Sequence, residues 1–216
     1  MLNLTPEALA LGLTQYVVLL FSLSVHESAH GWMALQMGDD TAARQGRVTL
    51  NPLAHIDPIG TVLFPLLQIF AGVPALGWAK PTPVGAHNFR RLARGHVLVA
   101  GAGPVSNLLL ATLFTAALAV ALRAGAQVGG PVVTLFGMGM AINVGLAVFN
   151  LIPLPPLDGS WIVSWGLPRE IANHYDRVVE PYGQFILLGL FITGALGWVM
   201  SPFVGAIQSF FLRLAL

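Results

Sequence analysis

Residues 21–35 read FSLSVHESAHGWMAL. Three ionisable side chains, His26, Glu27 and His30, stand in a segment whose neighbours on the N-terminal side are apolar. Ionisable groups are costly inside a bilayer, and those that occur there are candidates for a functional role. The first question is therefore whether this segment belongs to a membrane helix.

The apolar run at residues 8–25 is close to the roughly 20 residues that a helix needs to cross a bilayer. Thr5 is a suitable cap and Pro6 a suitable first helical residue, so we expect the helix to begin there. It should continue through the histidines and end near Gly38. We interpret this first apolar segment as retained and as its own membrane signal.

The composition of the whole chain agrees with a membrane protein. Of 216 residues, 56% are hydrophobic and only 9% are charged, whereas soluble domains are about 25% charged. The net charge of +1 gives no reason to expect nucleic acid as a partner. Cysteine is absent, which excludes disulfides and thiolate metal ligands. The expected surroundings are the lipid bilayer.

Several further apolar segments follow the first one. They cover residues 60–78, 96–122, 132–151, 182–200 and 203–214, with Pro202 as the expected break between the last two. We therefore predict an all-α polytopic membrane protein, a bundle of about five to six hydrophobic helices forming a single domain over residues 1–216. Near residues 44–57 the pattern instead predicts a short β-hairpin or strand region.

The segment at residues 60–78 is short and contains Pro65 and Pro74. Basic residues lie on both sides of it, namely Arg44, Arg47, Lys80, Arg90, Arg91 and Arg94. Cytoplasmic loops are enriched in such residues, so a single crossing would break that rule. We predict that the segment is re-entrant or buried without crossing; the alternative is an ordinary crossing.

His26, Glu27 and His30 form an H-E-x-x-H pattern. On a helix His26 and His30 share a face, so two imidazoles can bind one ion, and neutral imidazole suits Zn²⁺. Glu27 lies about 100° around the helix, where it can act as a general base without ligating the metal. The alternative is a chance match in a long helix.

A catalytic zinc ion needs a third protein ligand. Asp158, in NLIPLPPLDG, is the outstanding candidate because prolines interrupt regular helix just before it. The alternative for PPLDG is an ordinary surface turn. His55 and Asp57 could form a supporting pair or a rival metal site, but loop structure is the favoured interpretation.

Three asparagines occur in the apolar segments after the first helix. Asn150 and Asn143 share a helical face, and a buried amide needs a partner. One function for such an amide is to donate a hydrogen bond to a developing oxyanion. The alternative is a hydrogen bond between helices, which suits Asn143 better, and for Asn107 we favour packing.

In combination these features resemble the site-2 protease family of intramembrane zinc metalloproteases. The resemblance rests on HESAH, AGAGPVSN and FNLIPLPPLDG in that order, and it covers nearly the whole chain. GRVTLNPLAHIDPIGT and GWAKPTPV also resemble a compact bacterial-type branch without a PDZ or CBS domain.

The resemblance implies that His26, His30 and Asp158 hold one zinc ion per chain, that Glu27 is the general base and that Asn150 assists near the scissile carbonyl. It implies a multi-pass protein of the cell membrane with its active site toward the cytoplasmic side. The expected substrate is a transmembrane protein or peptide that is cleaved within or near its membrane segment. We expect the unwound substrate segment to pair with an exposed strand of this protein at residues 47–50. The alternative is a membrane metal-binding or metal-transport protein.

Overall fold

The computed structural model describes residues 5–72 and 77–216. These residues contain nine α-helices, three of which are shorter than ten residues. They are α1 (Pro6–Met37), α2 (Thr41–Arg44), α3 (Phe64–Ala71), α4 (Leu92–Arg123), α5 (Pro131–Asn150), α6 (Asp158–Gly166), α7 (Arg169–Val179), α8 (Gly183–Ile192) and α9 (Ala195–Ala215). Short 3₁₀ turns occur at Pro52–His55 and Ala86–Asn88, and a π-helical turn at Pro58–Leu63 precedes α3.

Four of these helices, α1, α4, α5 and α9, are long and apolar enough to cross a membrane. The apolar helices at Pro58–Ala71 and Gly183–Ile192 are shorter. The prediction of an all-α polytopic membrane protein is therefore confirmed. The predicted count of five to six helices differs from the structure, which has nine α-helices in the part of the chain described, four of them long and apolar enough to cross a membrane.

The first helix has the boundaries that its sequence predicts. The Thr5 hydroxyl accepts a hydrogen bond from the Ala8 amide at 3.2 Å, and Pro6 is the first helical residue. Gly38 ends the helix with φ at 109°, a left-handed conformation that glycine adopts without strain. The helix of 32 residues is about 48 Å long at 1.5 Å per residue, so it extends beyond a hydrocarbon core of about 30 Å.

Helix α4 is the centre of the bundle, because α1, α5, α6 and α9 all pack against it. One buried cluster joins α4, α5 and α9 through Ala111, Met140, Val144 and Phe211. Small residues on α4 let the neighbouring helices approach closely, which is how helices associate in membranes. This arrangement brings the histidine-bearing face of α1 against α4.

The prediction of a β-hairpin near residues 44–57 is wrong: no strand occurs in the described part of the chain. The Thr49 carbonyl accepts hydrogen bonds from Ser28 Oγ at 2.7 Å and from His55 Nε2 at 2.9 Å, so side chains occupy it instead of a strand partner. Arg47 is buried and donates to the carbonyls of Lys80 and Pro81. The expected exposed strand at residues 47–50 is therefore also absent.

The segment at residues 60–78 returns to the point where it starts. The Asp57 carboxylate caps its first turn by accepting from the amides of Ile59 and Gly60. At the other end, the Trp78 amide donates to the Gly60 carbonyl at 3.2 Å. The two ends of the segment are thus in contact. Pro74 lies outside the described residues.

The break between the last two apolar segments differs from the prediction. Gly194, with φ at 75°, separates α8 from α9, and α9 continues through Pro202. Proline cannot donate to the carbonyl four residues earlier. The Ser201 hydroxyl donates to that carbonyl, on Trp198, at 3.2 Å and replaces the missing hydrogen bond. A hydroxyl beside the proline therefore allows the helix to continue.

Candidate metal centre

The structure brings His26, His30 and Asp158 together. His26 and His30 lie one turn apart on α1, and Asp158 is the first residue of α6. The Nε2 atoms of the two histidines are 3.0 Å apart. Asp158 Oδ2 lies 3.3 Å from His26 Nε2, and Asp158 Oδ1 lies 3.4 Å from His30 Nε2. Within the described ranges, this is the one group of three or more histidine, aspartate or glutamate side chains that lie close enough to share a metal ion.

These distances fit a zinc ion. Zn–N and Zn–O bonds of about 2.0–2.2 Å in a tetrahedron place neighbouring ligand atoms about 3.3–3.5 Å apart. The two separations between an Asp158 oxygen and a histidine nitrogen have this length, although each involves a different carboxylate oxygen, and the Nε2–Nε2 separation is slightly shorter. Asp158 Oδ2 is also buried without a hydrogen-bond partner in the described part of the molecule, as expected for an atom that ligates a cation.

The outer nitrogens of both imidazoles are fixed by acceptors on α4. His30 Nδ1 lies 2.7 Å from the Val99 carbonyl, which can only accept, and His26 Nδ1 lies 2.6 Å from Asn107 Oδ1. In the neutral rings the proton is therefore on Nδ1, and each Nε2 directs a lone pair at the shared point. Such contacts orient histidines that bind metals.

Gly103 of α4 leaves the space that the two imidazoles occupy. A Cβ atom at this position would lie 2.5 Å from His26 Cε1 and 2.5 Å from His30 Nε2. Real Cβ atoms do not approach other heavy atoms so closely, so a larger residue would displace a ring. The glycine is needed for this close approach of α4 to α1.

The position of Asp158 depends on the turn between α5 and α6. After α5 ends, the chain folds back on itself, with the Leu157 amide donating to the Leu154 carbonyl at 2.9 Å. Gly159 packs against the Leu151 carbonyl so closely that no Cβ would fit. Asp158 and Gly159 are thus the first two residues of α6, packed closely against the end of α5, and this packing carries the Asp158 carboxylate to His26 and His30.

Glu27 lies beside the ligands and is held by an extended segment. The Thr82 amide donates to Glu27 Oε2 at 2.7 Å, and the Thr82 hydroxyl donates to the Glu27 carbonyl at 2.9 Å. Arg47 in turn holds this segment through the carbonyls of Lys80 and Pro81. One carboxylate oxygen of Glu27 is therefore fixed by the Thr82 amide.

A cavity of about 560 Å³ opens onto these side chains. Glu27 and Asn150 both line it, together with apolar residues that include Leu23, Phe149 and Trp161. The Asn150 amide nitrogen donates to the Leu146 carbonyl of its own helix at 3.0 Å. Its second N–H leaves Asn150 able to donate to a group bound in the cavity.

The remaining sequence candidates have other contacts. His55 donates to the Thr49 carbonyl and Asp57 caps a helical turn, which agrees with loop structure. Asn143 bonds across helices, as expected. Asn107, for which packing was favoured, bonds to two other helices through His26 and Asn143, and its contact with His26 was not predicted. Its position four residues after Gly103, on one face of α4, was the available signal.

Two imidazoles and a carboxylate converging on one point, beside a glutamate and inside a bundle of apolar helices, define a membrane-embedded metalloenzyme. Comparisons with known proteins give the family. The profile of Peptidase family M50 matches residues 119–190, which include Asn150 and Asp158. No solved structure matches this chain.

YwhC of Bacillus subtilis is 38% identical over 210 residues, which cover 94% of this chain and 92% of that protein. Rip2 of Mycolicibacterium smegmatis is 32% identical over 82% of this chain and 66% of its own length. Rip3 of Mycobacterium tuberculosis is 33% identical over 90% of this chain and 44% of its own length. All three names contain the words zinc metalloprotease. The chain belongs to peptidase family M50, and the resemblance to site-2 proteases is confirmed.

Proposed function

We propose that His26, His30 and Asp158 hold a catalytic zinc ion, with Glu27 as the general base and Asn150 as an oxyanion donor. The protein is an intramembrane zinc metalloprotease that hydrolyses peptide bonds within or near transmembrane segments. The convergence of three metal-binding atoms, with both Nε2 lone pairs directed at one point, is the observation that carries the assignment of the ligands.

The chain's own residues supply most of the mechanism. Bound zinc would polarise the scissile carbonyl and lower the pKa of the attacking water. Glu27, fixed through Oε2 by the Thr82 amide, takes the proton from that water on Oε1 and then delivers it to the leaving amine. Asn150 donates an amide hydrogen to the oxygen that gains charge during the attack.

The apolar lining of the cavity supports a substrate from a membrane segment. Apart from the metal ligands, Glu27, Thr82, His96 and Asn150, its lining consists of apolar residues and glycine. The substrate backbone must unwind locally, because a regular helix engages its carbonyls in internal hydrogen bonds. The side chains next to the scissile bond would then lie against residues such as Leu23, Leu146 and Trp161.

We further propose that residues 1–216 form one membrane-embedded domain in the cell membrane, with the site toward the cytoplasmic side. The contact between Gly60 and Trp78 supports a re-entrant segment at residues 60–78, entering and leaving on one side. The basic residues before and after this segment would then both be cytoplasmic.

The test compares Glu27→Gln with the wild-type protein. With zinc retained, cleavage of a membrane-helix substrate should fall by about 10²- to 10⁴-fold, the usual contribution of a general base. Glu170→Gln, at an exposed position of α7, is the matched control and should cleave normally. Undiminished cleavage by Glu27→Gln would reject the role of Glu27. Zinc binding without any cleavage by the wild-type protein would instead favour the metal-transport alternative, which the family assignment does not favour.

A further inference from the structure

A line of buried polar side chains leads from His26 away from the metal-binding point. His26 Nδ1 bonds to Asn107 Oδ1 at 2.6 Å, Asn107 Nδ2 to Asn143 Oδ1 at 2.9 Å, and Asn143 Nδ2 to Ser22 Oγ at 2.8 Å. Ser22, Asn107 and Asn143 are all 0% exposed. The line joins α1, α4 and α5, and each amide in it is costly to bury unless its hydrogen bonds are made.

The direction of these hydrogen bonds is fixed at the end far from the metal. Asn143 Nδ2 lies 2.9 Å from the Gly139 carbonyl, which can only accept. Asn143 Oδ1 must therefore face Asn107 and accept from its amide nitrogen. That leaves Asn107 Oδ1 facing His26 Nδ1, where it too can only accept. A backbone carbonyl of α5 thus determines that the His26 proton lies on Nδ1.

We propose that Asn143 is a positioning residue for the metal site, acting on His26 through Asn107. This inference rests on the proposed function, in which His26 is a zinc ligand. Without the acceptor on Asn143, no side chain holds the Asn107 amide in one orientation, and when it turns over its NH₂ group faces His26 Nδ1. A ring that accepts at Nδ1 carries its proton on Nε2 and has no lone pair there for zinc.

The second histidine provides an internal comparison. His30 Nδ1 donates to the Val99 backbone carbonyl, which cannot turn over. The proton position of His30 is therefore set by the helix itself, and that of His26 by two side-chain amides. A change at Asn143 should accordingly affect His26 and leave His30 unchanged.

The test measures zinc affinity of the full-length protein in detergent by competition with a chelator. Asn143→Leu has a similar volume but no acceptor, and zinc binding should weaken by about 10- to 100-fold. Asn143→Asp keeps an oxygen for Asn107 and should bind zinc within a few-fold of wild type. Thr115→Val is the matched control, because it removes a buried hydroxyl of α4 that donates to Ala111 of the same helix. The zinc affinity of this variant should be unchanged.

A double variant separates positioning from a structural role. The ionised carboxylate introduced by Asn107→Asp presents an acceptor oxygen to His26 whichever way it turns. Asn107→Asp combined with Asn143→Leu should therefore regain most of the zinc affinity that Asn143→Leu alone loses. Affinity that stays low in the double variant, or that does not fall in Asn143→Leu, would overturn the inference.

A measurement on the wild-type protein is independent of how well any variant folds. In ¹⁵N NMR of metal-free protein with labelled histidine, His26 should carry a proton on Nδ1, and an unprotonated Nδ1 would overturn the inference. Failure of the proposed function is recognised separately. If the proposed function is wrong, His26→Gln should bind zinc as tightly as wild type. If only the role of Asn143 is wrong, His26→Gln should bind zinc weakly and Asn143→Leu should bind it like wild type.

Discussion

Replacing Gly103 by alanine should weaken zinc binding although no ligand is changed. The added Cβ atom would lie 2.5 Å from His26 Cε1 and from His30 Nε2, against about 3.4 Å for an ordinary contact. Both rings are anchored through Nδ1, His26 at 2.6 Å to Asn107 and His30 at 2.7 Å to Val99. Neither ring can therefore retreat by the required ~0.9 Å without stretching its hydrogen bond or moving α1 from α4.

The cost follows from these contacts. Overpacking in a close-packed interior costs about 1–3 kcal/mol, and losing one hydrogen bond costs about 1 kcal/mol more. A total of about 3 kcal/mol corresponds to roughly 10²-fold in zinc affinity, since each 1.4 kcal/mol is tenfold. Because zinc fixes both rings, most of this cost should appear in the metal-bound state.

Chelator competition on detergent-purified protein measures this difference. Gly101→Ala, on the same helix, is the matched control, because a Cβ atom at that position would meet nothing within 4 Å. It should bind zinc like wild type, with an equal or slightly higher unfolding temperature, since alanine is favoured over glycine in helices. If Gly103→Ala bound zinc as tightly as Gly101→Ala, the arrangement of α1 against α4 described above would be wrong.

Two further changes test the site and the segment that borders it. Asn150→Ala should lower kcat by about 10²- to 10³-fold with zinc content unchanged, as loss of an oxyanion donor does; a change in zinc content alone would contradict that role. Burial raises the pKa of Asp39, but hydrogen bonds from Thr41, Asn88 and the Gly85 amide outweigh this effect and hold the pKa below that of an ordinary aspartate. A carboxyl whose pKa is lower in the folded than in the unfolded protein stabilises the fold at pH values above its pKa in the unfolded chain. This stabilisation is lost as the pH falls through the pKa of the folded state. The unfolding temperature of Asp39→Asn should thus be lower than wild type at neutral pH and approach it below about pH 4; a constant difference would refute this.

The sequence was sufficient for those features that depend on local spacing or composition. The limits of α1 follow from Thr5, Pro6 and Gly38, and the shared face of His26 and His30 follows from their four-residue separation. Asp158 could be selected by elimination, because few other ionisable residues stand in apolar sequence. Its distance from the histidines could not be derived, since it depends on how α6 docks on α4.

Features that depend on tertiary contacts were missed. Residues 47–50 have a local preference for a strand. In the fold, however, the Thr49 carbonyl accepts hydrogen bonds from the side chains of Ser28 and His55, and the Arg47 side chain is buried. Pro202 normally interrupts a helix, and only the hydroxyl of Ser201 compensates for it. The contact between Asn107 and His26 spans 81 residues, so no local pattern contains it.

The two histidines of the proposed metal site are oriented by α4, a helix that supplies none of the proposed ligands. A helix with H-E-x-x-H alone offers two imidazoles whose rings can rotate and whose protons can occupy either nitrogen. Helix α4 removes both freedoms, because Asn107 and Val99 fix the Nδ1 protons and Gly103 lets the backbone approach. Zinc affinity should therefore follow the packing of α1 against α4. Changes on the outer face of α4, as at Leu109 or Leu113, which are 61% and 65% exposed, should leave it unaltered.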